Sequence, residues 1–516
     1  MAKFAIIDVG SRSVVLEVFE VRGDSCKTLY YASEATYLGR KLGRDGVLNE
    51  ASMSRTLDVL SDFRDVCQMH GNCDIHAICT AAVRIAKNGE DFAEAAYKAL
   101  SEKRENEDGE RTAPQVNIKI ISGKKEAYYE YLGIVNTTAM SDFVIIDVGG
   151  ASTEISLVRD RKLEGAVSFS FGAVSLTERF FPHEHAAQHN ISEAENTILQ
   201  QINEIEWLAR AKGLPIIGAG SCLRNLMQAE MNKRLATCSS LHNYMINYSN
   251  FKFMYKHIGR MTPKMREEKI GIPLNTAEVI LGGLVPLQAL FKAISARRVY
   301  YSEHSLRQGV FYEKFAQMTH KITPVEADVL GASVSGLQER FNCDAEHAGA
   351  VEEIADTIFR QTYILHHMGD KYKRILSVAA KLHDCGEYIA YHNHHEHSFY
   401  LIKESAIYGL EQWDKLNAAI VAGMHRHARL KFKRWQYRRV VNANTYKRLR
   451  ILAAILAIST RVATRRGKGF ADEKDAVKCQ ISQTTLQVII SNRAESPSNG
   501  AVRFERKIFG RNVFIA

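Results

Sequence analysis

Three short apolar segments, each followed directly by a glycine-rich turn, contain the residues best suited to chemistry. They are FAIIDVGS at 4–11, FVIIDVGGAS at 143–152 and LPIIGAGS at 214–221. Because glycine has no side chain, the backbone N–H groups of such turns can point into one cavity and bind phosphate oxygens. One turn of this kind is often a simple tight connection, but three in one chain favour a phosphate site. The candidate residues are Gly10, Ser11, Arg12, Ser13, Gly149, Gly150, Ala151, Ser152, Thr153, Gly220 and Ser221.

Asp8 and Asp147 occupy the same place in the first two segments, where the strand ends and the loop opens. A carboxylate in this position can hold Mg²⁺ directly or through a water molecule. The alternative is that each aspartate caps its own turn. Residue types and spacing leave both interpretations open.

The elements around these turns form a repeated pattern. The sequence Ile-Ile-Asp-Val-Gly begins at Ile6 and again at Ile145, which predicts two related α/β halves. Strand-like segments at 75–79, 116–121 and 297–301 alternate with helical patterns, as expected of α/β units.

The pattern changes after residue 318, and a mainly α domain is predicted to begin near Ile322. Segments with helical periodicity and few strand signals lie at 325–340, 346–368, 373–383, 411–425 and 446–463. The tail contains TTLQVIIS at 484–491 and AVRFERKIF at 501–509, separated by a turn-rich stretch. These two segments predict a small β element.

Composition limits the class of protein. The 516 residues, 46% hydrophobic and 24% charged, predict three or four folded domains at about 100–200 residues each. The chain enters a strand-like segment by residue 4 and has no apolar run near 18 residues, so we expect a soluble, cytoplasmic protein with no membrane span. Nine scattered cysteines without a CxxC pair predict reduced thiols rather than disulfides or a zinc site.

The positive charge is concentrated in one stretch. The net charge is +10, and residues 415–471 contain 15 Lys and Arg and no acidic residue. Such a stretch suits a polyanionic ligand. The alternative is a solvated surface, or one that attracts nucleic acid without specificity.

A series of ordered motifs over about residues 1–315 resembles the exopolyphosphatase/guanosine pentaphosphate phosphohydrolase (Ppx/GppA) family. The motifs are IDVGSRSVVLEVFE, TAAVRIAKNGEDF, IISGKKEAYYEYLG, IIDVGGASTEISLV, FGAVSLTERF, NTAEVILGGL and SLRQGVFYE. Residues 320–516 resemble the extension of the long family members more faintly, through KLHDCGEYIAYHNHHEHSFYLI and GMHRH.

The resemblance implies a fold. It is α/β, with two halves of the actin-like type found in acetate and sugar kinases and heat-shock ATPases, followed by a mainly α HD-like domain and a small α+β domain. The implied boundaries are 1–124 and 125–318 for the two halves, 319–440 for the HD-like domain and 441–516 for the C-terminal domain.

The resemblance also assigns roles to residues. Glu126 matches the general base of the ISG-x-x-E-A motif, and Glu130 is the second candidate because it lies four residues further on the same helix face. Asp147 and Glu154 match the acidic ends of the family's second phosphate motif, and they would bind Mg²⁺, with Mn²⁺ as an alternative, or orient the attacking water in catalysis. Asp8 is a further candidate metal ligand. Arg84 matches a phosphate-binding arginine, a role that suits a guanidinium.

Several positions depart from the family pattern. Arg12 and Lys125 add positive charge near the expected cleft, and Ser175 replaces an arginine. Ala151 and the third loop, GAGSC at 218–222, could narrow the space in which backbone N–H groups bind phosphate. None of these changes removes the base or the metal carboxylates, so an active enzyme is expected, with an inactive relative as the alternative.

The histidine-rich region allows two interpretations. His383 and Asp384 lie in one chain segment with many other histidines, and imidazole and carboxylate groups bind divalent transition metals. A hydrolase of the HD type also needs a late aspartate, whereas the corresponding stretch has Thr460 and Ala463 and no acid. A structural role is therefore favoured over a second hydrolase site. The other histidines considered are His366, His367, His394, His395, His397, His425 and His427.

The resemblance and the charge together predict a metal-dependent exopolyphosphatase that acts as a homodimer on inorganic polyphosphate and has no specific nucleic-acid partner. One alternative is an enzyme that hydrolyses guanosine pentaphosphate. The other is a catalytically inactive regulator that binds polyphosphate or guanosine penta- and tetraphosphate. The expected polyphosphate channel consists of Arg426, Arg429, Lys431, Lys433, Arg434, Arg438 and Arg439.

Overall fold

The computed structural model divides into two compact units. The first contains Met1–Glu230 and Leu241–Ala327, and the second contains Met231–Ser240 and Asp328–Ala516. The residues described are 2–22, 25–40, 42–71, 73–102, 104–105, 111–112, 114–183, 186–233, 240–426, 437, 440–466, 477–490 and 512–515.

The first unit contains two main sheets. The strands of its first half are β1 (Ala2–Val9), β2 (Ser13–Arg22), β3 (Ser25–Ala35), β4 (Asp74–Cys79), β5 (Arg104–Glu105), β6 (Arg111–Thr112) and β7 (Val116–Ile120). Those of its second half are β8 (Phe143–Val148), β9 (Thr153–Arg159), β10 (Lys162–Phe169), β11 (Ile216–Ala219), β12 (Met245–Asn247) and β13 (Arg298–Tyr301).

The two sheets share one topology over five strands. Their strand orders are β3-β2-β1-β4-β7 and β10-β9-β8-β11-β13-β12. In each, three antiparallel strands precede two parallel ones: β4 is parallel to β1 and β7, and β11 is parallel to β8 and β13. The second sheet has one more strand, β12, which is antiparallel to β13. The predicted pair of related α/β halves is therefore confirmed.

Helices connect and cover these strands. They are α1 (Leu42–Asp45), α2 (Glu50–Met69), α3 (Ala81–Ile85), α4 (Gly89–Ser101), α5 (Gly123–Val135), α6 (Ala173–Phe180), α7 (Gln188–Asn203), α8 (Ser221–Lys233), α9 (Tyr248–Gly259), α10 (Pro263–Ile270), α11 (Leu274–Ala277), α12 (Ile280–Ile294) and α13 (Leu306–Met318).

A single apolar core joins both sheets through α5 and α13. It includes Phe4 of β1, Ile145 of β8, Leu132 of α5 and Val310 of α13. The two helices approach closely because a glycine lies at the contact: a Cβ on Gly309 would lie 1.8 Å from the carbonyl oxygen of Tyr129. This packing brings the start of α5 and the start of α13 to the ends of β1 and β8.

The second unit is mainly helical, as the sequence predicts. Its helices are α14 (Val329–Arg340), α15 (Ala345–Gln361), α16 (Tyr363–His366), α17 (Asp370–Leu382), α18 (His394–Glu404), α19 (Gln412–Met424) and α20 (Ala443–Arg466). Fully buried residues such as Ile358, Ile375, Ile420 and Leu452 form its core.

A small sheet completes the second unit, with strands β14 (Val477–Ile481), β15 (Thr485–Ile490) and β16 (Asn512–Ile515) in that order. The predicted strand at 484–491 corresponds to β15, whereas the segment 501–509 lies outside the described residues. Within the described parts of both units, no helix is both long enough and apolar enough to cross a bilayer.

Candidate active site

The first two glycine turns have the same geometry. The amide of Gly10 donates to the carbonyl of Ser13, and the amide of Gly149 donates to that of Ser152, each over 3.0 Å. Each bond closes the reversal between two antiparallel strands, β1 to β2 and β8 to β9. The turns also lie against each other, since a Cβ on Gly150 would lie 3.4 Å from the Cβ of Ser11. The predicted phosphate loops of the two halves therefore meet.

The third turn lies beside the second. Gly220 has a φ of +95°, which favours glycine, and a Cβ there would lie 3.3 Å from Asp147 Oδ1. Burial raises the pKa of the neighbouring Cys222 thiol to about 12, and the positive charge of Arg12 acts against this rise. Arg12, in the first turn, is thus within electrostatic reach of the third.

The remaining turn residues differ in how free they are to bind a ligand. Ser11, Arg12 and Ser13 are half-buried and Ser221 is exposed, whereas Thr153 is fully buried and donates its hydroxyl to the carbonyl of Phe171 over 2.8 Å. Gly10, Gly149, Gly150 and Ala151 are half-buried, and Ser152 is buried. The first turn therefore presents more accessible side chains than the second.

Arg84 and Glu126 form an ion pair at this edge of the sheets. Arg84 lies in α3, directly after β4, and its Nη1 donates to Glu126 Oε2 over 2.8 Å and to the carbonyl of Ile121 over 2.9 Å. Glu126 lies in the first turn of α5, where Ser122 caps the helix by accepting from the amide of Lys125. Burial raises the pKa of Glu126, and the Arg84 charge opposes this rise and so favours the ionised form.

Three buried glutamates make a carboxylate cluster, which consists of Glu126, Glu130 and Glu154. One oxygen of each lies within 4.8 Å of an oxygen of the others. Glu154 accepts from the Ser168 hydroxyl over 2.8 Å, whereas Glu130 Oε2 is buried and has no hydrogen-bond partner among the described residues. Three acidic groups at this spacing, one without a donor, fit a bound cation.

Asp147 faces Glu154 across the β8–β9 ladder. Burial and the Glu126 charge raise the pKa of Asp147 to about 7. Burial and the charges of neighbouring carboxylates, Asp147 among them, also raise the pKa values of Glu130 and Glu154 well above the ordinary range. Because every candidate metal ligand in this group is a carboxylate oxygen, the group suits a hard divalent cation such as Mg²⁺ or Mn²⁺.

Asp8 has a different surrounding from the other candidate metal ligands. Its Oδ2 lies 3.4 Å from Nη1 of Arg307, whose Nε lies 3.9 Å from Glu17 Oε2. The three predicted metal ligands therefore have different places. Glu154 belongs to the carboxylate cluster, Asp147 lies opposite Glu154, and Asp8 lies beside the guanidinium of Arg307.

Arg307 and Glu17 were missed by sequence reasoning. Arg307 lies in the first turn of α13, within the motif SLRQGVFYE, so that motif is the signal that could have singled it out. Its contact with Asp8 joins residues 299 positions apart, which residue spacing does not reveal.

Two of the departures from the family pattern have structural roles. Lys125 donates to Glu313 over 2.8 Å and lies 4.3 Å from the centre of the Tyr129 ring, so its charge is balanced locally. Ser175 accepts at its hydroxyl from the amide of Gly172 over 2.9 Å and thereby caps α6.

The expected polyphosphate channel lies almost entirely outside the described residues. Arg426 is exposed and lies 5.2 Å from the centre of the Tyr391 ring. The channel residues outside the described part are Arg429, Lys431, Lys433, Arg434, Arg438 and Arg439.

Comparison with known proteins identifies the family. The Ppx/GppA phosphatase family matches residues 17–318, and its domain III matches residues 329–494. A Ppx/GppA member from Aquifex aeolicus is 22% identical, with 62% of this chain and 99% of that chain covered and a TM-score of 0.51. An exopolyphosphatase from Cytophaga hutchinsonii is 21% identical, with 61% and 98% covered and a TM-score of 0.55. The matched family region covers more than half of the sequence, and the chain belongs to the Ppx/GppA phosphatase family.

Proposed function

We propose that this phosphatase is an exopolyphosphatase, which releases the terminal phosphate of inorganic polyphosphate by attack of water. The observation that carries the proposal is the Arg84–Glu126 ion pair beside the carboxylate cluster, at the place where two glycine turns meet. Anion-binding backbone, a guanidinium, a candidate base and cation ligands are the parts that phosphoryl transfer requires.

Glu126 is the proposed general base. It accepts a proton from the attacking water as the oxygen of that water bonds to the terminal phosphorus and the bridging P–O bond breaks. The products are orthophosphate and a chain shorter by one unit. The Arg84 charge favours the ionised form of Glu126 that this role needs, in spite of the burial of the carboxyl group.

Arg84 has a second proposed role in binding phosphate. Its Nη1 is occupied by Glu126 and by the carbonyl of Ile121, and the guanidinium has five N–H donors in all. The donors that remain can bind phosphate oxygens while Nη1 holds the base. The amides of the glycine turns supply further donors with no side-chain obstruction.

Asp147 and Glu154, joined by Glu130, are proposed to hold Mg²⁺, with Mn²⁺ as the alternative. The unpartnered oxygen of Glu130 and the raised pKa values of all three residues support this assignment. A divalent cation supplies charge neutralisation on phosphate oxygens and stabilises the charge that develops during transfer. Asp8, which contacts Arg307, is proposed to form the edge of the site on the side of the first turn.

Inorganic polyphosphate is favoured as substrate by the basic stretch at 415–471. A long anion gains from many dispersed cationic contacts, whereas a nucleotide needs few. The Cytophaga hutchinsonii protein of similar fold is an exopolyphosphatase, in agreement with this choice.

The test is phosphate release from long-chain polyphosphate and from guanosine pentaphosphate, measured side by side with and without Mg²⁺. We expect Mg²⁺-dependent release that is faster from polyphosphate. Faster release from guanosine pentaphosphate would reverse the substrate assignment. Inactivity on both substrates, in folded protein with Mg²⁺ present, would contradict hydrolysis and favour a regulator that binds these anions.

A further inference from the structure

Four imidazoles surround one carboxylate in the second unit. His347 lies in α15, His383 directly follows α17, His394 begins α18, and His425 directly follows α19. Their Nε2 atoms lie 3.9, 3.0, 3.1 and 3.8 Å, respectively, from the nearer carboxylate oxygen of Asp384. We call these five residues the imidazole cluster.

The protonation state of three of these rings is set by their backbone contacts. Nδ1 of His383, His394 and His425 lies 2.8, 3.2 and 2.6 Å, respectively, from the carbonyl oxygen of the residue three positions earlier. A carbonyl oxygen only accepts hydrogen bonds, so each Nδ1 carries the proton. A neutral imidazole has a single N–H, so each Nε2 presents a lone pair.

These lone pairs point at other acceptors. The Nε2 atoms of His383 and His394 face the carboxylate of Asp384, and the Nε2 atoms of His394 and His425 lie 3.4 Å apart. His383 Nε2 is buried and makes no bond of hydrogen-bond geometry within the described part of the chain. A buried group of acceptors without donors is unfavourable.

The three rings are also shielded from solvent and lie close together. The three rings are at most 3% exposed, and the ring centres of His383 and His394 lie 5.0 and 5.4 Å from that of His425. One divalent cation held by Asp384, His394 and His425 satisfies the Nε2 lone pairs of both histidines and the facing carboxylate oxygen.

The distances fit such an ion. Nitrogen and oxygen ligands lie about 2.0–2.2 Å from a first-row ion, which places two ligands of a tetrahedral site about 3.3–3.6 Å apart. The His394–Asp384, His394–His425 and His425–Asp384 separations are 3.1, 3.4 and 3.8 Å and so lie around this range. The Nδ1–carbonyl bonds are also typical of metal-binding histidines, since they fix the orientation of the ring.

We propose that the imidazole cluster binds a first-row divalent transition-metal ion through Asp384, His394 and His425, with His383 and His347 on the side of the second carboxylate oxygen. Imidazole ligands select such ions over Mg²⁺, which separates this site from the all-carboxylate site of the first unit. The side chains of Asp384 and His347 are 27% and 29% exposed, so the cluster is open to solvent on the side of His347.

The structure supplies the ligands that the sequence pattern lacked. The stretch around Thr460 has no acidic residue, and this favoured a purely structural role for His383 and Asp384. In the fold, histidines from four separate segments surround the carboxylate of Asp384 instead.

The test is titration of the full, untagged chain with Co²⁺ after removal of metals, in a large excess of Mg²⁺ that saturates the carboxylate site. Visible absorption reports Co²⁺ coordination, and X-ray absorption detects scattering from imidazole ligands. The variants are His425→Gln and Asp384→Asn. The matched control is His392→Gln, which removes an exposed imidazole two residues from His394.

We expect the parent chain and His392→Gln to bind at least one ion with imidazole scattering. Both cluster variants should bind at least about 100-fold more weakly, because each loses a ligand or its charge. The proposal is overturned if the parent chain shows no imidazole-ligated Co²⁺, or if folded cluster variants bind as the parent does. If a variant does not fold, as judged by circular dichroism, the scattering of the parent chain decides.

Discussion

Arg84 Nη1 donates to Glu126 Oε2 over 2.8 Å and also to the carbonyl of Ile121. The pair joins the helix after β4 to the helix after β7 at the edge where the glycine turns meet. In the proposed mechanism, this contact lets Arg84 bind phosphate and keep Glu126 ionised.

Glu126→Gln should lower turnover by roughly 10²–10⁴ with little change in substrate affinity, because the amide keeps the shape of the side chain but accepts no proton from water. Phosphate release and polyphosphate binding are measured on the same preparation. Glu94→Gln, at an exposed position of α4, is the control. Near-normal turnover in Glu126→Gln would exclude Glu126 as the base and transfer the role to Glu130.

Arg84→Gln should move the acidic limb of the kcat/KM profile to higher pH. The Arg84 charge lowers the pKa of Glu126, so its loss raises that pKa and protonates the base over a wider pH range. It should also raise KM, since phosphate donors are lost. The measurement is a pH–rate profile of the variant and the parent, and an unshifted acidic limb would separate Arg84 from the base.

Asp147→Asn should raise the Mg²⁺ concentration needed for half-maximal activity while leaving the fold intact. In the parent chain the pKa of Asp147 is raised to about 7, so protons compete with the cation below that pH. The Mg²⁺ requirement should therefore rise by up to about tenfold per pH unit between pH 7 and pH 6. Mg²⁺ titrations of activity at both pH values test this. An unchanged requirement in Asp147→Asn, with normal activity, would favour the capping role.

Glu130→Gln should stabilise the Mg²⁺-free protein at pH 8. The pKa of Glu130 is raised in the folded state, so the folded state binds more protons than the unfolded state, and stability falls as pH rises through the folded pKa. Removal of this charge should add about 1–3 kcal/mol at pH 8 and little near pH 4.

Thermal unfolding with and without Mg²⁺ checks the effect of Glu130→Gln. Stabilisation of the parent by Mg²⁺ should be larger at pH 8 than at pH 5.5, and it should shrink in the variant. An equal Mg²⁺ effect in both proteins at pH 8 would remove Glu130 from the cation site.

Neutralising the basic stretch should weaken binding of long polyphosphate and flatten its salt dependence. A polyanion bound there releases counterions, by analogy with nucleic acids, and each lost contact should reduce the slope of log K against log salt by about 0.7–0.9. The variant replaces Arg429, Lys431, Lys433, Arg434, Arg438 and Arg439 by Gln. A control variant replaces the surface lysines Lys252, Lys256, Lys264 and Lys269.

The readout for the basic stretch compares the hydrolysis of long and short polyphosphate by the full-length protein. Hydrolysis of a short chain should change little, because it needs the site of the first unit alone. If the relative efficiency on long and short chains is unchanged, the stretch is not the polyphosphate channel.

The duplicated α/β halves and the three glycine turns could be predicted from the order of the residues alone. Apolar strands followed by glycine, and the shared Ile-Ile-Asp-Val-Gly, are local patterns, and the structure shows β1, β8 and β11 with turns after each. The helical character of the second unit could be predicted equally well, because helical periodicity is a property of neighbouring residues.

Which side chains contact each other depends on the packing of the folded chain. The Asp8–Arg307 contact, the entry of Glu130 into the carboxylate cluster and the balancing of Lys125 by Glu313 depend on how α5 and α13 pack between the two sheets. The imidazole cluster depends on the ends of four helices converging on Asp384. Such contacts join residues far apart in the chain, and the interaction of two charges depends on distance and burial, which packing sets and local sequence does not.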